Sequence, residues 1–139
     1  MNFGAVNYLA VLAAAVASFI FGGLWYSAFS RRPSAESADE ETEHRQRLHV
    51  NAVPFIVAFI ALLIMSYVLA GAIGNLGVDR VTVRNGIVLA LFAWVGFVMT
   101  TLVINHTVQR VSRIATLVDG GHWLGVLMIQ GAIIGWIGL

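Results

Sequence analysis

The chain has 139 residues, 59% of them hydrophobic and only 11% charged, with eight basic and seven acidic side chains. An ordinary soluble domain is about 25% charged, and so few charges cannot coat the surface that a soluble fold of this length exposes to water. The composition therefore excludes a water-solvated globule and points to a chain solvated by lipid. A net charge of +1 leaves no basic stripe for nucleic acid. The absence of cysteine excludes disulfides, thiolate metal centres, iron–sulfur clusters and thiol redox chemistry.

Four stretches carry no charge: Met1–Ser30, Val50–Val78, Asn85–Gln109 and Gly120–Leu139. About 20 apolar residues in a helix cross the ~30 Å hydrocarbon layer. One unpaired Arg or Asp at its centre costs roughly 2.5–3.5 kcal/mol. The predicted spans are Asn7–Ala28, Val53–Gly74, Gly86–Asn105 and Thr116–Gly138. They make an all-α integral membrane four-helix bundle with up-down topology. It forms a single transmembrane domain over residues 1–139, with no extramembrane domain.

In the first span, Ala15-Val16-Ala17 has the small-residue pattern of a signal-peptidase site. No Lys or Arg precedes it and the apolar run continues to Phe29, so the segment is expected to stay as a helix. Small residues recur there at every fourth position, Ala10, Ala14, Ser18 and Gly22. That spacing gives one groove for close helix packing. The polar linker 30–49 follows and holds most of the charge, with Arg31, Arg32, Arg45 and Arg47 set against Glu36, Asp39, Glu40, Glu41 and Glu43.

The second span repeats the small-residue spacing with Ser66, Ala70 and Gly74, and the fourth has Gly121-x-x-x-Gly125 and Gly131-x-x-x-Gly135. These motifs serve packing within the bundle or between copies. Ser18, Ser66, Thr100 and Gln130 fall near the middle of their spans. Hydroxyls can bond the preceding helical turn, so the midplane Gln130 is the residue that needs an outside partner.

Chemistry concentrates at one end. Tyr26 and Ser27 close span one, His49 and Asn51 precede span two, Asn105 and His106 close span three, and Asp119 and His122 open span four. Three uses of this cluster compete. In the first, Asp119 caps the fourth helix through the N–H of Gly121 or His122, and Trp25, Tyr26 and Trp123 form an interfacial aromatic belt. In the second, His49, His106, His122 and Asp119 ligate a metal ion, although no local ligand motif supports it. In the third, the helix starts earlier and holds Asp119 a turn deep. His122 then shares its face, and the pair lines a half-channel with His106 or Arg110 as partners. The small multidrug transporters also have four short helices but depend on a carboxylate in the first span, and this one has none, so the comparison speaks against proton-coupled drug antiport.

Loops one and three carry Arg31, Arg32, Arg45, Arg47, Arg110 and Arg113, whereas loop two carries Arg80 and Arg84. The positive-inside rule then places loops one and three in the cytoplasm and both termini outside.

Several stretches carry a family resemblance: Gly22-Gly23-Leu24-Trp25-Tyr26-Ser27, Trp94-Val95-Gly96-Phe97, Val118-Asp119-Gly120-Gly121-His122-Trp123-Leu124 and Gln130-Gly131-Ala132-Ile133-Ile134-Gly135-Trp136. In their order they resemble the small bacterial membrane proteins grouped as domain of unknown function 1761. The resemblance covers nearly the whole chain and implies a four-helix integral membrane protein with no assigned activity. One segment departs from it: where that family continues with Pro, Phe-Gly and a Trp, this chain reads Ala28-Phe29-Ser30-Arg31-Arg32.

No nucleophile–base pair stands out. The sequence therefore reads as a non-enzymatic multi-pass protein of a bacterial plasma (inner) membrane, in contact with the lipid bilayer and without a cofactor. It self-associates as a homo-oligomer or binds another membrane protein. The alternative is a small channel or transporter using Asp119 and His122, and the third reading is a metal-dependent membrane enzyme.

Overall fold

A computed structural model describes residues 6–29 and 52–138. The predicted linker, with His49 and Asn51, lies outside the described residues. Among the described residues four helices are long and apolar enough to cross a membrane: α1 (Tyr8–Phe29), α2 (Val53–Gly74), α3 (Val83–Val108) and α4 (Arg113–Ile137). The protein is an all-α, multi-pass membrane bundle, and no strand occurs among the described residues. Helices satisfy every backbone N–H and C=O within the segment, as a span surrounded by lipid must.

Local sequence sets the helix starts. The Asn7 side-chain oxygen accepts from Leu9 N at 3.0 Å and Ala10 N at 3.3 Å, opening α1. Pro54 sits in the first turn of α2, where its missing N–H has no partner to lose. Gly77, with φ +105°, turns the chain into a short 3-10 segment, Val78–Arg80, before Thr82 caps α3. Helices α3 and α4 each begin three residues before the predicted spans, and α3 runs on to Val108. Their N-caps lie outside the charge-free runs, so Arg84 and Arg113 fall in first turns, at the membrane surface rather than its core.

Helix α4 packs against all three neighbours, most extensively α3 and α1, while α1 also packs on α2. At the seam between α3 and α4 the backbones nearly touch. A Cβ at Gly131 would overlap Gly86 O and one at Gly135 would overlap Thr82 O. The other pair in α4 meets α1: Gly121 packs on the Trp25 ring and Gly125 on the Phe21 ring. On α1, Ala10, Ala14 and Ser18 are fully buried. The small residues thus make room within this one chain.

At mid-span three side chains link three helices in a cycle. Ser18 on α1 donates to Val126 O on α4 at 3.4 Å, Gln130 on α4 donates to Leu62 O on α2 at 3.2 Å, and Ser66 on α2 donates to Val11 O on α1 at 3.1 Å. Gln130 finds its partner, as the sequence requires. Each serine shares its single hydrogen between the neighbouring helix and its own, at Ala14 O (2.8 Å) for Ser18 and Leu63 O (3.1 Å) for Ser66.

The fold tapers. Near the α2–α3 turn, Val6, Leu69, Ala70, Ile73, Ala90 and Ile134 form a tight core. At the other end, Val53–Ala58 of α2 are exposed on every side, and no residue from Trp94 to Val108 is buried. Within that half of α3, residues Trp94–Met99 form a π-helical segment. The Thr100 hydroxyl covers carbonyls there, 2.9 Å from Gly96 O and 3.1 Å from Phe97 O.

Candidate functional site

At the splayed end Tyr26, His106 and Thr116 gather around Asp119. Ser112 caps α4, its hydroxyl accepting from Ala115 N at 3.2 Å. Asp119 therefore does not cap the helix. It sits about 9 Å further along the axis than Arg113, because Ser112, with its side-chain acceptor and extended backbone, starts the helix first.

Around its carboxylate, Tyr26 OH of α1 lies 3.4 Å from Oδ1 and His106 Nε2 of α3 lies 3.8 Å from Oδ2. The other imidazole nitrogen, His106 Nδ1, is 3.0 Å from the Thr116 hydroxyl. With that hydroxyl donating to Nδ1, the hydrogen on Nε2 faces Asp119. The competing acceptor for Thr116 is Ser112 O at 3.2 Å. Three helices thus contribute to one short polar chain, Tyr26–Asp119–His106–Thr116. Asp119 keeps about a third of its side chain exposed, 32%, against 15% for His106.

His122 shares the Asp119 face but makes no hydrogen bond to it. Its ring is enclosed by aromatics, with centroids 4.7 Å from Tyr26, 5.1 Å from Trp123 and 6.2 Å from Phe21. The Nδ1 atom is buried without a partner, as is Trp25 Nε1. Gly22 makes space for this ring: a Cβ there would stand 3.1 Å from His122 Nε2. His122 is a packed histidine of the seam between α1 and α4, and the half-buried Trp25 and Trp123 pack beside it.

Other predicted members stay out. The Ser27 hydroxyl returns to Leu24 O at 2.8 Å, and Asn105 is exposed with no polar partner among the described residues. Among the described residues no three His, Asp or Glu side chains come together to hold a metal ion. Asp119, His106 and His122 therefore do not form a metal centre by themselves, and His49 lies outside the described residues.

Thr116 and Trp94 were not legible as participants. Thr116 stands three residues before Asp119, a spacing that puts both on one helix face. Trp94 Nε1 donates to Gly120 O at 2.8 Å, pinning the start of the π segment to α4.

No curated protein and no solved structure matches the chain. The family described as Protein of unknown function (DUF1761) matches residues 9–135, and the chain belongs to that family.

Proposed function

We propose that this is a non-enzymatic module of a bacterial plasma membrane, with loops one and three cytoplasmic and both termini outside. Its work is contact with another membrane helix, in the first place a second copy of this chain. Gly96 carries the reading. Nothing lies within 4 Å of a Cβ built there, as also at Gly23, but Gly96 stands at the middle of its span and Gly23 towards the end of its own. By contrast, Gly120, Gly121, Gly125, Gly131 and Gly135 of α4 are all pressed on a neighbour. Gly96 lies between Phe92 and Phe97, which are 72% and 75% exposed. A bare glycine at membrane depth lets a second backbone approach closely, which is how helices associate where lipid removes the hydrophobic incentive. The test is the size of the purified full-length chain in mild detergent. The wild type should sediment as a defined oligomer and Gly96→Leu as a monomer of unchanged helicity. A monomeric wild type, or an oligomer indifferent to Gly96→Leu, overturns the reading.

A second reading, a small channel or transporter using Asp119 and His122, draws on the exposure of Asp119 inside a span, where ionisable groups mark functional sites. Against it, the mid-span bonds of the fully buried Ser18, Ser66 and Gln130 to backbone carbonyls tie α1, α2 and α4 together beneath that carboxylate. Proteoliposomes showing ion or solute flux that Asp119→Asn abolishes would establish this second reading; absence of flux ends it.

A further inference from the structure

The splayed half of α3 carries a shallow, open groove of about 350 Å³, lined by Met99, Thr100, Val103 and Ile104 of this one helix. Its lining is apolar in effect, because the Thr100 hydroxyl is turned to backbone carbonyls. The stripe continues on one helix face through Thr107 and Val108, both exposed, to the turn that joins α3 to α4. There Arg110 and Arg113 are exposed and pair with no acid among the described residues. The nearest carboxylate along α4, Asp119, is already engaged by Tyr26 and His106.

Arg110 also adopts φ +57°, the left-handed conformation that ends a helix most cheaply with glycine. Its N–H bonds Thr107 O at 3.2 Å and the next N–H bonds His106 O at 2.9 Å, so the backbone is held in that shape. Glycine would hold this φ with less strain, so the turn itself does not call for an arginine.

We propose that this face binds an anionic phospholipid, one acyl chain lying in the Met99–Ile104 groove and the phosphate resting on Arg110 and Arg113. The parts fit by position. The groove lies within the span Val83–Val108, and Arg110 and Arg113 follow its last turn, where a 26-residue helix has outrun the ~30 Å hydrocarbon layer. Two guanidiniums present the donors that a phosphate diester takes up. The first amides of α4, beside Arg113, add partial positive charge. The groove runs from Met99, about 5 Å along the axis from Gly96, to Ile104, about 12 Å from it, so the lipid borders the helix contact at Gly96, and it is argued from the groove and the arginines alone.

The test uses the full-length protein reconstituted in phosphatidylcholine vesicles doped with spin-labelled phosphatidylglycerol or phosphatidylcholine. The wild type should immobilise phosphatidylglycerol in preference, by on the order of tenfold. Arg110→Gln with Arg113→Gln should reduce that preference to near unity with helicity unchanged. Thr100→Trp, which fills the groove, should lower immobilisation of both labels. Arg110→Gly relaxes the turn, so it should fold at least as stably as the wild type and still lose several-fold of the preference. Equal immobilisation of the two lipids by the wild type overturns the proposal, as does a preference that survives the double substitution or Arg110→Gly. Complete displacement of the labelled lipid by millimolar inorganic phosphate also overturns it, since a phosphate site needs no acyl chain.

Discussion

Replacing Gly86 with alanine puts a methyl group where the Gly131 carbonyl already stands. The added Cβ would overlap Gly131 O and lie 2.8 Å from Gly131 C. Both partners are backbone atoms of regular helices, so no rotamer change relieves the clash, and α3 and α4 must part by roughly 1 Å. A gap of that size forfeits a quarter to a half of each dispersion contact, and a seam of ~40 atom pairs at ~0.15 kcal/mol each then loses about 2 kcal/mol. The better helix propensity of alanine returns up to ~1 kcal/mol, leaving a net loss of about 1–2 kcal/mol. Gly23→Ala provides the internal control. Nothing lies within 4 Å of a Cβ at that position, so only the propensity gain remains. Unfolding of the full chain in mixed micelles by increasing SDS, followed by far-UV circular dichroism, should place the two variants about 2 kcal/mol apart. A Gly86→Ala protein as stable as Gly23→Ala refutes the claim that backbone contact sets this seam.

The mid-span cycle makes a graded prediction in the same assay. Ser66→Ala should cost about 0.5–1 kcal/mol, the usual range for a hydrogen bond between membrane helices. Gln130→Leu should be close to neutral, because it removes the unpartnered Oε1 along with the bond to Leu62 O; a loss above ~2 kcal/mol would mean that Oε1 is satisfied after all. Trp94→Phe deletes the bond to Gly120 O. It should destabilise by about 1 kcal/mol and, by freeing the start of the π segment, raise amide hydrogen exchange over Trp94–Met99 more than over Val83–Ala90; uniform exchange would count against the pinning role. Asp119→Asn should shift stability by under ~1 kcal/mol, since its contacts at 3.4 and 3.8 Å are long; a larger loss would make the Tyr26–Asp119–His106 chain a structural element.

The reach of the sequence can be followed at individual residues. Four spans were legible because a buried charge in lipid is costly and the fifteen charges avoid four stretches of the chain. Helix α4 begins three residues before the charge-based span, and of the readings open for Asp119 the cap is excluded, because Ser112 and Asp119 are both good caps and only the folded helix shows which begins it. His122 belonged to the right end of the molecule, but spacing on its own helix could not reveal that Gly22, a hundred residues earlier, opens the space its ring fills. The linker and His49 fall outside the described residues.

The sequence by itself determined the solvent, the number of spans and the end of the bundle where polar chemistry gathers. These follow from the cost of charge in hydrocarbon, a one-dimensional rule that composition along the chain can express. Only the tertiary structure decided that Gly131 and Gly135 face α3 while Gly121 and Gly125 face α1. It also closed Ser18, Gln130 and Ser66 into a cycle and turned His106 rather than His122 toward Asp119. Those pairings depend on helix rotation and separation, on the scale of a single ångström, and no periodicity along one helix encodes where its neighbour stands.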